Sequence, residues 1–263
     1  MRNNKFDYVQ VIYDEEKKPL TSYPYHLSKY IFERYKLKKN QKMLDIGCGR
    51  GEWLSKCCEL GFDCSGIEIN PSMADLCTKR GFQIYNDDAL NVLSSLPERE
   101  FNIVSLFHVI EHITNKEIEN IFRECHRILS PNGVLILETP SIDNLTVSSR
   151  QFYLDHTHIN PINPDRLIFL LEYLGFDSAK YFFINPGQFA HDHPLSLKKV
   201  IAGTGQDLCI LASNSKIITK QIFKEEQNII NKKYLSLTTI NAALDFDLQT
   251  QKLLKQIDLL ELS

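Results

Sequence analysis

The sequence has no run approaching the roughly 20 apolar residues that a membrane-spanning helix needs. Its first ten residues, MRNNKFDYVQ, hold no apolar stretch of the kind that a secretion signal carries. It has no Cys-x-x-Cys pair, which removes the usual ligand spacing of a zinc ribbon. Its seven cysteines are odd in number and two of them, Cys57 and Cys58, are adjacent, so they do not form a disulfide framework. A reducing, cytoplasmic setting is the expectation. Basic residues are not in excess: 30 Lys and Arg stand against 33 Asp and Glu, a net charge of −3, so no nucleic-acid partner is expected. What is present is ordinary for a globular chain. The 263 residues, 43% hydrophobic and 24% charged, suffice to bury a full core without staples.

The order of apolar runs and breakers predicts alternating strands and helices. Residues 1–20 are polar and read as an arm. A helix is expected over Thr21 to Tyr35, then a buried strand over Lys42 to Ile46 running into Gly47. Helical spacing through Trp53, Leu54, Cys57 and Cys58 ends at Gly61. A second strand spans Asp63 to Ile69, and Pro71 opens a helix that closes at Gly81. Further strands are expected over Phe82 to Tyr85, Phe101 to Phe107 and Gly133 to Glu138. A helix lies over Thr114 to Leu129 and a turn over Ser130 to Gly133. This alternation means βαβ units and a doubly wound, mostly parallel α/β sheet. The rhythm breaks over 139–163. It resumes with a helix over Asp165 to Leu174 and strands over Phe176 to Ile184 and Asp207 to Ala212. The main domain is placed at 21–214. Beyond Ser215 there is neither Gly nor Pro, and Phe223, Ile230, Leu237 and Leu244 recur every seventh residue. Residues 215–263 thus read as a helical tail, either packed back on its own domain or mediating self-association or partner docking.

The chemistry-bearing motif is Leu44-Asp-Ile-Gly-Cys-Gly-Arg-Gly-Glu-Trp-Leu54. Gly47, Gly49 and Gly51 let the chain turn sharply between strand and helix and approach a ligand closely. The spacing is GxGxG, not the GxGxxG of a pyrophosphate cradle, and Asp45 at the strand end would repel a pyrophosphate but face a cation. Glu68 closes the second strand, where a carboxylate can accept from both ribose hydroxyls. Asp88, in Asn86-Asp-Asp-Ala-Leu90, can accept from an adenine amino group or cap a helix.

Together these residues resemble class I S-adenosylmethionine (SAM)-dependent methyltransferases over residues 25–212. LDIGCGRGEWL is similar to their first motif, GIEIN to the second, NDDAL to the adenine segment, and FNIVSLFHVIEHI to the fourth-strand motif of the subgroup carrying HVxEH. Asn102 departs from the Asp usual in that family. The resemblance implies a seven-stranded sheet, SAM as cofactor and S-adenosylhomocysteine as product. It implies that Asp45, Gly47, Cys48, Gly49, Gly51 and Trp53 surround the methionine end and that Glu68 and Ile69 meet the ribose. By the same resemblance Asp88 and Ala89 meet the adenine, and Phe107 and His108 lie beside the methionine.

The segment Phe152-Tyr-Leu-Asp-His-Thr-His-Ile-Asn-Pro161 resembles one found in methyltransferases of surface-polysaccharide (O-antigen, lipopolysaccharide, capsule) biosynthesis, including the methyltransferase half of O-antigen chain terminators. That resemblance implies an O-methyltransferase acting on a sugar hydroxyl or sugar phosphate of an activated glycan. A small-molecule or quinone C-methyltransferase is the alternative, and a non-catalytic SAM-fold assembly subunit the second. In the first case His158, oriented by Asp155, serves as catalytic base with His108 as its rival. Tyr153, His156, His112 and Arg150 contact the acceptor. Asp155 and His158 can also be read as loop-holding residues. His156, His158, His191 and His193 offer nitrogen ligands without diagnostic spacing, so no metal centre is expected.

Overall fold

The computed structural model describes residues 41–193, 195–215 and 238–261. The expected arm, the Thr21–Tyr35 helix and most of the heptad-bearing segment lie outside them. Seven strands form one sheet in the order β3-β2-β1-β4-β5-β7-β6. They are β1 (Lys42–Ile46), β2 (Asp63–Ile67), β3 (Gln83–Tyr85), β4 (Phe101–Phe107), β5 (Leu129–Pro140), β6 (Ser178–Pro186) and β7 (Gly205–Ser213). The β1–β2, β1–β4, β2–β3 and β4–β5 pairs are parallel, and β7 runs antiparallel between β5 and β6. The helices are α1 (Glu52–Glu59), α2 (Pro71–Lys79), α3 (Ala89–Ser95), α4 (Asn115–Ile128), α5 (Pro164–Tyr173), α6 (Leu197–Ala202) and α7 (Thr239–Glu261). This is the seven-stranded class I methyltransferase fold.

Local chemistry sets the boundaries. Asn70 caps α2 by accepting from the backbone N–H groups of Ser72 and Met73, with Pro71 in the first turn. Thr114 and Glu117 form a capping box at the start of α4. One face of α4 buries Ile118, Ile121, Phe122, Cys125 and Ile128, and the large cluster that contains them includes Leu44, Val104, Leu106, Leu135 and Leu137 from the central strands. A smaller cluster, with Trp53, Leu54 and Cys57 of α1 against Met43, Ile103 and Ile136, covers the opposite face. Two apolar faces require the near-continuous apolar strands seen here.

Two expectations change. The turn placed at Ser130 to Gly133 lies inside β5, where the register against β4 jumps from Phe101–Leu129 to Ile103–Val134. Exposed Pro131 and Asn132 therefore bulge out of a continuous strand. Asn102 sits at that bulge: its Oδ1 accepts from Lys42 N at 3.1 Å and its Nδ2 donates to Ser130 Oγ at 3.3 Å. That donation is one an aspartate cannot make. Helix α3 was not expected, and Asp88 caps it by accepting from Leu90 N at 2.9 Å. Finally, α7 begins against the segment after β5, where Thr239 N donates to Asp143 Oδ2 at 2.7 Å. Leu244 and Leu248 on α7 are 61% and 51% exposed.

Candidate active site

The carboxyl ends of β1, β2, β3 and β4 meet at one edge of the sheet, the place where open α/β sheets bind ligands. The glycine loop after β1 is held there by Gly47 N and Cys48 N, which donate to Ile67 O at 2.8 and 3.1 Å. Gly47, Gly49 and Gly51 all take positive φ (72°, 53° and 76°), the left-handed region that disfavours a Cβ. A Cβ on Gly47 would lie 2.5 Å from Val109 Cγ2, whereas one on Gly49 would meet nothing within 4 Å. The loop is therefore packed beneath Gly47 and open above Gly49.

Glu68 is buried beside that opening. Its Oε2 accepts from Gly49 N and its Oε1 from Asn70 N, both at 2.8 Å. It thus ties the loop to the end of β2, and each oxygen keeps a second lone pair. Asn86 Nδ2 donates to Glu68 O at 2.7 Å and holds the next segment. Ile69 is 69% exposed, unusual for a large aliphatic residue adjoining a buried carboxylate.

Asp45 is buried and receives a 2.6 Å hydrogen bond from Ser105 Oγ, which in turn accepts from Trp53 Nε1 at 2.9 Å. Burial pushes its carboxyl up to about 8, with the Ser105 bond opposing. The folded value lies above the ordinary 3.8, so the folded chain binds this proton more tightly than the unfolded chain. Asp45 therefore subtracts stability progressively as pH rises between those values. Thermal midpoints measured across that range should fall less steeply for Asp45→Asn than for the wild type. Identical slopes would contradict the burial effect. A cation arriving beside Asp45 would favour the ionised form and offset this cost.

A second group gathers at the carboxyl ends of β4 and β5. His108 adopts φ 53°, and its backbone N–H donates to Glu138 O at 2.8 Å. Its Nδ1 donates to Glu111 Oε1 at 3.1 Å and its Nε2 stands 3.5 Å from Glu138 Oε1. Burial disfavours the charged imidazole, but the two carboxylates outweigh it and hold its pKa well above the usual histidine value. His108 thus has a carboxylate facing each ring nitrogen, and both favour its charged form.

The loop after β5 is laid over the Glu111–His112 turn by Ile159 N and Asn160 N, which both donate to Glu111 O at 2.9 and 3.1 Å. That brings His158 against His112, ring centroids 4.7 Å apart in an edge-to-face arrangement. His158 Nδ1 donates to Phe152 O at 2.7 Å. Asp155 does not hold that nitrogen. It lies 3.9 Å from Nε2, while its Oδ1 accepts from the Thr157 hydroxyl and backbone. The main-chain carbonyl, not the carboxylate, fixes the tautomer.

A family model described as a methyltransferase domain matches residues 22–180. The chain belongs to the methyltransferase domain family. A SAM-dependent methyltransferase from Archaeoglobus fulgidus superposes with a TM-score of 0.64 at 28% identity, covering 78% of this chain and 99% of that one. A Haemonchus contortus phosphoethanolamine N-methyltransferase solved with S-adenosylhomocysteine superposes at 0.57 and 16% identity, over 72% of this chain and 52% of the other, and shows the shared fold. Among curated relatives, a ubiquinone biosynthesis O-methyltransferase of Pseudomonas aeruginosa is 28% identical over 106 residues, 38% of this chain and 44% of its own length. A sterol 4-C-methyltransferase of Caenorhabditis elegans is 23% identical over 114 residues, 41% of this chain and 34% of its own. The chain thus spans less than half the length of these curated relatives.

SAM is the cofactor of this methyltransferase domain, and the residues fit it: an opening above Gly49, an acceptor-rich Glu68, an exposed Ile69 and a buried carboxyl at Asp45. Trp53, expected at the cofactor, is 3% exposed and packs edge-to-face on Phe107 at 5.2 Å. It reaches Asp45 through Ser105. Tyr153, Arg150 and His156 are exposed on the 147–158 loop. Sequence reasoning left out Glu138, Asp207 and Thr157. Asp207 reaches this edge because β7 is antiparallel, pairing with Pro140 at its start. Burial pushes its carboxyl up, as it does that of Glu138. The alternation of strands carried no sign of that reversal. Among the described residues, no helix is long and apolar enough to cross a membrane.

Proposed function

We propose that the protein is a SAM-dependent O-methyltransferase acting on a hydroxyl of a small acceptor, of the kind a quinone precursor presents. The observation carrying this is the His112–His158 imidazole pair, held 4.7 Å apart where the loop after β5 lies over the turn that follows β4, by contacts that spend the Nδ1 atoms on protein oxygens. A hydroxyl is a poor nucleophile at neutral pH and gains from a group that removes its proton. The 28% identity to a ubiquinone O-methyltransferase supports this class over a surface glycan.

SAM supplies a methyl group already activated on its sulfonium. The chain does the rest. Gly47, Cys48, Gly49 and Gly51 wrap the methionine end, with Asp45 facing its ammonium. Glu68 and Ile69 meet the ribose, Asp88 and Ala89 the adenine, and Phe107 borders the methyl. Asp88 caps α3 with one oxygen and keeps the other for the adenine amino group. His158 holds the acceptor hydroxyl at its Nε2, and His112 flanks it.

A sugar hydroxyl is the second reading, favoured by Tyr153, which is 64% exposed and able to stack on a sugar face. Mass spectrometry decides between them after incubation with methyl-labelled SAM and a panel of dihydroxylated aromatics and nucleotide sugars. Label on a phenolic oxygen supports the first reading, and label on the sugar supports the second. Label on carbon overturns both.

The tail is proposed to mediate self-association through the exposed leucines of α7. Light scattering should give a larger mass for the full chain than for residues 1–214. Equal monomer masses would remove the proposal.

A further inference from the structure

Glu111, His112 and His158 each offer a ligand-capable atom, and these atoms lie within 4.8 Å of one another. The hydrogen bonds decide which ring nitrogen is on offer. His158 Nδ1 faces the Phe152 carbonyl at 2.7 Å, and a carbonyl only accepts, so Nδ1 carries the proton. The Thr157 hydroxyl donates to Asp155 Oδ1 at 2.6 Å, so it can only accept from His112 Nδ1 at 2.8 Å. That nitrogen carries its proton too. Both rings keep their lone pair at Nε2. Metal-binding histidines are held in this way, the second N–H donating to an oxygen that fixes ring and tautomer. Glu111 is fully buried; its Oε1 accepts from His108 and its Oε2 from Thr139 Oγ1 at 3.0 Å, which leaves a lone pair on each oxygen.

We propose that Glu111, His112 and His158 hold a divalent cation of the zinc class, bound through Nε2 of both imidazoles and one carboxylate oxygen, with a position left for the acceptor hydroxyl. Its existence stands on these three residues, while its role rests on the hydroxyl-acceptor reading. Two imidazoles and one carboxylate suit a borderline cation, whereas magnesium and calcium favour oxygen alone. Ligands at ~2.0–2.2 Å from a tetrahedral ion stand ~3.3–3.6 Å apart, so the three side chains draw together as they close on it. Neither ring lies in the closed core: His112 and His158 are both half-buried. The neighbouring group His108, Glu138 and Asp207 is the other such cluster among the described residues, but each nitrogen of His108 already faces a carboxylate. With the cation bound, His158 Nε2 is its ligand and no longer the direct partner of the acceptor; a hydroxyl on the open position of the cation has its pKa lowered and passes its proton to solvent water.

The test starts from full-length protein stripped with a chelator. Zn²⁺ and Co²⁺ are titrated by calorimetry and, for Co²⁺, by visible absorption, with Mg²⁺ as the hard-cation control. One Zn²⁺ per chain is expected, with affinity lower by about 100-fold or more in His112→Ala and His158→Ala. Thr157→Val keeps all three ligands and removes only the oxygen that orients His112, so about 10–100-fold is expected there. S-adenosylhomocysteine binding, measured on each variant, verifies the fold. No Zn²⁺ binding by the wild type, or undiminished affinity in His112→Ala and His158→Ala, overturns the site. Zn²⁺ bound without any O-methylated product would instead defeat the hydroxyl-acceptor reading and leave the site standing.

Discussion

His158→Ala is expected to lower turnover by ~10²–10⁴-fold while leaving S-adenosylhomocysteine affinity nearly unchanged. The side chain sits on the loop over β5's carboxyl end and is tied to Phe152 O and the Glu111–His112 turn. Its removal takes away the group that meets the acceptor proton and leaves the glycine loop untouched. Asp155→Ala should cost far less, because Asp155 secures Thr157 and lies 3.9 Å from the imidazole. Stopped-assay rates at saturating acceptor check both. Turnover of His158→Ala within a few-fold of wild type would reject the residue as the proton-handling group. A raised acceptor Michaelis constant with unchanged turnover would restrict it to binding.

Gly47→Ala and Gly49→Ala should separate folding from cofactor binding. At Gly47 the φ of 72° and the 2.5 Å approach to Val109 Cγ2 act together. A left-handed non-glycine residue costs about 1–3 kcal/mol and overpacking costs a similar amount, so a loss of about 2–6 kcal/mol is expected. At Gly49 the φ is 53° but the space is open, so only the backbone cost applies. Its new methyl would occupy the opening assigned to the cofactor, so Gly49→Ala should fold and bind S-adenosylhomocysteine poorly. Denaturant titration and calorimetry read the two effects. Equal stability losses in the two variants would contradict the packing asymmetry.

The parallel half of the sheet was legible because each of its parts is local. A short apolar run ending in glycine marks β1, Pro71 marks the first turn of α2, and the acids at Asp45 and Glu68 follow the strand ends directly. What escaped depends on residues distant in sequence. Asp88 looked divided between adenine and a cap, and the cap became visible only once α3 closed behind it. The Ser130–Gly133 segment has turn composition, but β4 on one side and β7 on the other carry the strand through it. Nothing in the segment around His108 reveals that Glu138, thirty residues on, faces its far side. Asp155 stands off from the His158 imidazole, 3.9 Å from Nε2, for a local reason: the Thr157 N–H and hydroxyl lie nearer to that carboxylate. The acceptor class was the least legible, since it rested on a loop with no periodic signal.

Calorimetry of the wild-type chain with S-adenosylhomocysteine and, separately, with NAD bears most directly on the glycine loop and Glu68 as a methyl-donor site. One S-adenosylhomocysteine per chain is expected, with affinity lowered about 10–100-fold in Glu68→Ala through lost charged hydrogen bonds worth about 1.5–3 kcal/mol. NAD binding with no S-adenosylhomocysteine binding would contradict the account.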